Sequence, residues 1–258
     1  MTHPYLAGTA VPRVLAHRGF VPAALAAEGA VENSRAAFAA AVAAGAEYLE
    51  TDCRLTSDGE VVLCHDDGLA RLIGDPRPVS SVSARELAGL MEGRGGLLTL
   101  EQALREFPRS RFNVDVKSAE AAEPAGRILA AAADRVLVTS FSDRHRLRAL
   151  RAAASVPGAG RPATSPGRGR LAAALLALAA GSRAGFARAV AGVDALQIPE
   201  RRGPVRVLSR RLIDEARRLG VEVHVWTVND PQRMRELVGL GVSGVITDRT
   251  DLALDALS

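Results

Sequence analysis

Two β-rich runs set charged side chains one residue apart, a spacing suited to work on a phosphate group. They are Glu50-Thr51-Asp52 and Asn113-Val114-Asp115-Val116-Lys117. Side chains alternate faces along a strand, so Glu50 shares a face with Asp52, and Asp115 with Lys117. Two acids on a buried sheet face repel unless a cation lies between them. An all-oxygen set suits Mg2+ or Ca2+, and Asp115 can complete it. Lys117 can place a point charge on a phosphate oxygen. The plainer alternatives are a solvated strand end for the two acids and a structural ion pair for Asp115 and Lys117. Another strand candidate ends in His17-Arg18-Gly19, which offers a proton carrier, a fork for phosphate oxygens and a backbone open to close approach. Taken alone, that tripeptide is no more than a strand-end turn.

Such groups need a frame that gathers the C-terminal ends of several strands. The chain alternates short β-rich runs with Ala/Leu/Arg-rich helical runs, which predicts a parallel sheet with crossover helices. The candidate strands are Val14–His17, Tyr48–Asp52, Phe112–Lys117, Val136–Thr139, Pro162–Ser165, Ala195–Ile198, Val221–Thr227 and Val245–Thr247. That is the set needed to close a (β/α)8 barrel, and 258 residues suit one such domain over 1–258. Pro162–Ser165 is the weakest strand, inside a Gly-, Pro- and Arg-rich stretch. Helices are expected at Ser34–Ala44, Leu98–Phe107, Ser209–Leu219 and Pro231–Val238, stopped or started by Gly45, Pro108, Gly220 and Pro231. Residues 67–98 form an insertion after the second strand that can cover part of the barrel mouth.

One segment breaks the alternation. Asp58-Gly59 between two β-rich arms signals a two-residue hairpin turn. Ser57 then pairs with Glu60, Cys53 with Cys64, and Asp52 with His65. That register puts His65 on the face of Glu50 and Asp52, and turns the two cysteines away together. Glu32-Asn33-Ser34 reads as a helix start, with Asn33 or Ser34 as N-cap and Glu32 favoured by the helix dipole. Gln197 lies on a late strand. Trp226 either fills the core or walls a pocket. Thr247 or Asp248 is expected to cap the last helix. His3, His145 and His224 have no convergent partners.

Composition narrows the function classes. Hydrophobic residues make up 48% of the chain, enough for one large core, and the formal net charge is only +4. Arginines and acids are spread along the chain, without the clustered charge and interleaved aromatics of a nucleic-acid binder. Residues 1–19 lack a charged start followed by an apolar run, and Leu171 to Ala180 is too short to span a bilayer. The expectation is a cytoplasmic protein without a stable membrane anchor. Two cysteines make neither a disulfide framework nor a zinc site.

Taken together, His17-Arg18-Gly19, Glu32-Asn33-Ser34, Glu50-x-Asp52, Thr56-Ser57-Asp58-Gly59, His65-Asp66, Asp115-x-Lys117, Gln197 and Trp226-Thr227-Val228-Asn229 resemble the glycerophosphodiester phosphodiesterase family. The motifs come in the family order from residue 13 to the end. The resemblance implies a (β/α)8 barrel, a divalent cation (Mg2+ or Ca2+, with Mn2+ as an alternative), and hydrolysis of a small glycerophosphodiester to glycerol 3-phosphate and an alcohol. It implies His17 and His65 as the acid–base pair and Glu50, Asp52 and Asp115 as metal ligands. Arg18, Glu32, Lys117, Gln197 and Trp226 would shape the substrate pocket. Many members carry Glu where this chain has Asp115; Asp here is shared with the related sphingomyelinase D enzymes. The rival reading is therefore a lipid phosphodiesterase of lysophospholipase D or sphingomyelinase D type, which needs an apolar lip. Leu69, Leu72, Ile73 and Leu87 are apolar, but charges interrupt them. A catalytically silent phosphate-binding barrel would not need both histidines and all three acids. Nucleic acid would be repelled by the three carboxylates.

Overall fold

The computed structural model describes residues 2–258. Eight parallel strands form a nearly closed barrel: β1 (Arg13–His17), β2 (Tyr48–Leu55), β4 (Arg111–Val116), β5 (Val136–Thr139), β6 (Ala163–Thr164), β7 (Ala195–Ile198), β10 (Glu222–Val225) and β11 (Gly244–Thr247). β3 (Val61–Leu63) pairs antiparallel with β2, and β8 (Arg201–Arg202) with β9 (Val205–Arg206) makes a separate two-stranded ribbon. The order β6-β5-β4-β2-β1-β11-β10-β7 leaves a seam between β6 and β7. The seam falls where the sequence signal is weakest. Pro162 and Pro166 flank β6 and cannot donate to a ladder. Single bonds span the gap instead: Asp194 N donates to Thr164 O at 2.9 Å and Gln197 N to Ser165 Oγ at 3.1 Å.

Alternation along the strands sorts the core. Outward residues such as Leu49, Cys53, Phe112 and Val114 pack under the helices on one side, and Leu196, Val223 and Val245 do so on the other. Inward residues Leu15, Tyr48, Leu137 and Ile246 fill the barrel floor together with Tyr5 and Leu6. Buried Arg13 braces that floor, bonded to Glu222 through both carboxylate oxygens at 2.8 Å. Burial opposes the Glu222 charge, but Arg13 and His224 hold its pKa down to about 2. The expected helices appear as α2 (Arg35–Ala43), α5 (Leu100–Glu106), α10 (Arg210–Arg218) and α11 (Pro231–Leu240). Of the two candidate caps, Ser34 is the one that caps α2, accepting from Ala37 N.

The β2–β3 register differs from the expected one by a residue. Cys53 pairs with Leu63, Arg54 with Val62 and Leu55 with Val61. The loop is three residues long, Ser57-Asp58-Gly59, with Gly59 at φ +85°, the three-residue hairpin geometry that ends on a left-handed glycine. Asp58 is drawn out of a tight turn because it accepts from Thr56 Oγ1 at 2.6 Å and from Ala84 N at 3.0 Å. Asp52 therefore lies opposite Cys64, whose N donates to Asp52 O at 3.0 Å. The cysteines do not form a facing pair: Cys53 packs in the barrel-side core and Cys64 in the insertion's own core with Val62, Leu69 and Leu87. Both are free thiols; burial pushes both upward in pKa, Cys64 to about 11.

Candidate active site

The ladder register assembles the site. His17 pairs with Glu50 across β1 and β2, and Asp52 with Asp115 across β2 and β4. Four strand-end side chains thus converge at the C-terminal rim, where barrels of this kind carry their chemistry. The connection after β1 completes the rim. Arg18 and Asn33 sit at φ +59° and +58°, a left-handed conformation that non-glycine residues seldom take away from functional sites. The Arg18 amide donates to Glu50 Oε2 at 3.1 Å, and Asn33 Nδ2 to Asp52 Oδ2 at 3.3 Å. Gly19, at φ +87°, crosses the start of α2 so closely that a Cβ would lie 2.8 Å from the Ala37 carbonyl carbon and from the Phe38 ring.

Charges in this cluster are unevenly balanced. Lys117 Nζ lies 2.7 Å from Asp52 Oδ1 and 2.6 Å from Asp115 Oδ2, and Arg18 Nε lies 3.1 Å from Asp52 Oδ2. Burial raises all three carboxylates in pKa. At Asp52 the Lys117 and Arg18 charges overcome it and hold the pKa down, whereas at Asp115 burial and the neighbouring Asp52 charge outweigh Lys117 and His65, and the pKa stays raised. Glu50, buried beside the Asp52 and Asp115 charges, is pushed up to about 8. Among the described residues, no three His, Cys, Asp or Glu side chains already meet at metal-binding spacing; the Lys117 ammonium stands between Asp52 and Asp115. Two features nonetheless fit a hard divalent cation. Asp115 Oδ1 is buried with no hydrogen-bond partner, and Glu50 is a buried acid with no Lys or Arg side chain in ion-pair contact among the described residues, only the His17 imidazole 3.9 Å away. The donor set is all oxygen.

Each histidine of the expected pair is held by a carboxylate through Nδ1. His17 Nδ1 donates to Asp248 Oδ1 at 2.6 Å, while its Nε2 lies 3.9 Å from Glu50 Oε2. Asn229 fixes Asp248, donating from Nδ2 to Asp248 Oδ2 at 2.8 Å and accepting from the Asp248 amide at 2.9 Å. His65 Nδ1 donates to Asp66 Oδ1 at 2.6 Å. Arg71 in turn bonds Asp66 and reaches Glu32 Oε1 at 2.6 Å, and Glu32 also accepts from Arg18 Nη1 at 2.8 Å. A carboxylate only accepts, so each Nδ1 carries the proton and each Nε2 remains free for proton transfer. Burial works against a charged His17, but the Asp248 bond and the Glu50 charge outweigh it and raise its pKa. Asp248→Asn can present an amide hydrogen to Nδ1 and so invert the tautomer; turnover is expected to fall about ten- to a hundredfold, with KM little changed. Unaltered kcat in that variant would show that Asp248 does not orient His17.

A cavity of about 480 Å3 opens on this rim. His17, Arg18, Glu50, Asp52, His65, Asp115 and Lys117 line its inner end, and Gln197 and Trp226 also face it. His65 reaches it despite the shifted register, because β3 ends at Leu63 and the chain has left the ladder. Glu32 is not on the cavity wall; it braces Arg18 from behind. Trp226 proves to be wall, edge-on to Phe141 with ring centroids 5.9 Å apart. The 67–98 insertion does not line the cavity, and its Arg71 acts from outside. The outer half is built instead by Phe141, the start of α8 (Arg168–Ala179) and the β8–β9 ribbon.

Several partnerships in and below the site were not legible. His224, assigned no partner above, is fully buried and bonded to Glu222 at 3.0 Å, with Gln197 Nε2 3.5 Å from its other nitrogen. Asp248 does not cap the last helix, α12 (Thr250–Leu257); its N-cap is Arg249, with no side-chain cap bond. Nothing local links Asp248 to His17, 231 residues away. Asp66 did carry a signal, adjacency to His65.

The family model described as the glycerophosphoryl diester phosphodiesterase family matches residues 17–252. A probable glycerophosphodiester phosphodiesterase 2 of Mycobacterium tuberculosis is 39% identical over 246 residues, covering 94% of this chain and 89% of that protein. The crystal structure of a glycerophosphodiester phosphodiesterase from Thermotoga maritima is 27% identical and superposes with a TM-score of 0.71, covering 94% of this chain and 96% of that one. A human lysophospholipase D is 32% identical over 101 residues only, 34% of this chain and 32% of that protein. Barrel, convergent strand ends and these likenesses agree: the chain belongs to the glycerophosphodiester phosphodiesterase family.

Proposed function

We propose that this enzyme hydrolyses glycerophosphodiesters to sn-glycerol 3-phosphate and an alcohol by acid–base catalysis between His17 and His65, with a divalent cation, Mg2+ or Ca2+ or alternatively Mn2+, held by Glu50, Asp52 and Asp115. The observation that carries this reading is the pair of carboxylate-held histidines facing one cavity across a cluster of three acids. The bound cation would supply positive charge against a phosphate oxygen. Arg18 and Lys117 place further donors toward the same phosphate. One imidazole takes the nucleophile's proton through Nε2, and the other returns a proton to the leaving oxygen. Gln197 and Trp226 border the organic part of the substrate. A barrel neighbour from Oleispira antarctica, 20% identical with a TM-score of 0.69, was solved in complex with sn-glycerol-3-phosphate as product, which supports the choice of product here.

A second reading, action on lysophospholipids, has one observation in its favour. The outer cavity wall carries Phe141, Leu171, Leu175, Val205 and Val207, an apolar lip of the kind a lipid substrate needs, though on α8 and the ribbon instead of the insertion. Phosphorus NMR separates the two readings. Glycerophosphocholine should yield glycerol 3-phosphate faster than lysophosphatidylcholine yields lysophosphatidate; the reverse order would establish the lipid reading. Among the described residues, no helix is long and apolar enough to cross a membrane.

Lys117 is the one lysine among 33 basic Lys and Arg residues. Its ammonium fits between Asp52 and Asp115 with a side chain 10% exposed. A guanidinium is wider and planar, and would push one carboxylate aside. Lys117→Arg keeps the charge, yet its kcat is expected to fall about tenfold or more. A wild-type kcat would reduce Lys117 to a structural cation.

A further inference from the structure

The cavity is polarised in a way the reaction itself does not require. Its carboxylates, Glu50, Asp52 and Asp115, all lie at the inner end, while the outer half carries Arg168, Arg201 and Arg202. Among the described residues, none of these three arginines is ion-paired to a carboxylate within 4.0 Å, the spacing that defines the ion pairs elsewhere in the chain. Arg168 is held in place. Its amide donates to Phe141 O at 3.0 Å, and its guanidinium stacks 4.3 Å from the centroid of the Phe141 ring. The same ring lies 5.2 Å from Lys117 Nζ. One aromatic ring therefore lies against both the inner lysine and the outer arginine. At the start of α8 the amides of Gly167 and Arg170 are already taken by Asp143, both at 3.0 Å. Arg201 and Arg202 are exposed on the β8–β9 ribbon, and Arg201 Nη2 bonds only Pro204 O, at 3.1 Å.

We propose that this outer half is the leaving-alcohol subsite and that it selects alcohols carrying a second anionic group, phosphate or carboxylate, over cationic alcohols of the choline or ethanolamine type. The proposal rests on the phosphodiesterase reading above and adds its substrate class. A quaternary ammonium is normally recognised by open aromatic faces or a carboxylate. Here the Phe141 ring already faces two cations, Lys117 and Arg168, the Trp226 ring is packed edge-on with Phe141, and the outer wall offers no acid. Guanidinium forks without carboxylate partners favour phosphate and carboxylate instead. Leu171 and Leu175 supply an apolar wall for the carbon frame between the two anionic ends.

The test uses the full chain with divalent cation present and three diesters: glycerophosphocholine, glycerophosphoglycerol and glycerophosphoinositol 4-phosphate, whose alcohols are cationic, neutral and anionic. The value of kcat/KM is expected to rise in that order, by about tenfold or more from first to last at low ionic strength. The gap should narrow as salt is added, because the outer arginines are exposed. In Arg168→Gln combined with Arg201→Gln and Arg202→Gln, the ratio of anionic to cationic rates should fall toward one. Equal rates on all three diesters, a preference for the choline diester, or a ratio unmoved by the triple change would each overturn the subsite and leave the phosphodiesterase activity standing. No hydrolysis of any of the three would overturn both.

Discussion

His17→Ala and His65→Ala are each expected to lower kcat by about a hundredfold or more, the usual scale for loss of a positioned acid or base, with a smaller change in KM. The two should fail for different chemical reasons. His17 lies on β1 next to Glu50 and is fixed by Asp248, whereas His65 follows β3 and is fixed by Asp66. A pair in which one group takes a proton and the other gives it should lose opposite limbs of the pH–rate profile. A substrate with a more acidic leaving alcohol should rescue the variant that has lost the acid and not the one that has lost the base. His145→Ala, on α7 (Asp143–Ala154) outside the cavity lining, is the matched control. Near-normal kcat in either His17→Ala or His65→Ala would remove that residue from the pair.

Asp52→Asn should be as severe, with a loss of at least about a hundredfold, because Asp52 is tied to more of the site than any other acid. It meets Lys117, Arg18 and Asn33, and lies beside Asp115 across the ladder. The amide keeps the shape and removes the charge. Arg18 keeps Glu32, and Lys117 keeps Asp115, so the fold should survive while the site loses its central anion. Circular dichroism and thermal melting should show a folded protein, and calorimetry should show weakened binding of Mg2+, Mn2+ or Ca2+. Wild-type cation affinity in the folded variant would take Asp52 out of the ligand set.

How far the sequence reached depended on whether a residue's place is set by its neighbours in the chain. Alternation along β2 and β4 put Glu50, Asp52, Asp115 and Lys117 on inward faces, and they are there, because a period-2 pattern survives any detail of packing. The hairpin register failed by one residue. The loop takes three residues and ends on left-handed Gly59, with Asp58 held both by the neighbouring Thr56 hydroxyl and by the Ala84 amide, 26 residues on; the Asp58-Gly59 pair alone does not distinguish this loop from a two-residue turn. His65 came to the site all the same, since it lies past the end of the ladder. The bond between Asp248 and His17 was not legible because barrel closure alone brings β11 beside β1. The outer cavity was missed for a related reason: Arg168 and Arg202 belong to Gly/Pro/Arg-rich segments without periodicity, and their meaning comes from Phe141 and the seam between β6 and β7. The insertion illustrates the converse. It looked like a cover for the mouth, but its apolar residues bury one another in a small core of their own.

Cleavage of glycerophosphodiesters by a cation-assisted site on Glu50, Asp52 and Asp115 stands or falls with the requirement for the metal. The most direct measurement follows glycerol 3-phosphate release from a glycerophosphodiester by wild-type enzyme, first in excess chelator and then after Mg2+, Mn2+ or Ca2+ is restored. No release is expected in chelator, with recovery once at least one of these ions is restored. Full turnover in excess chelator would contradict the requirement for the metal.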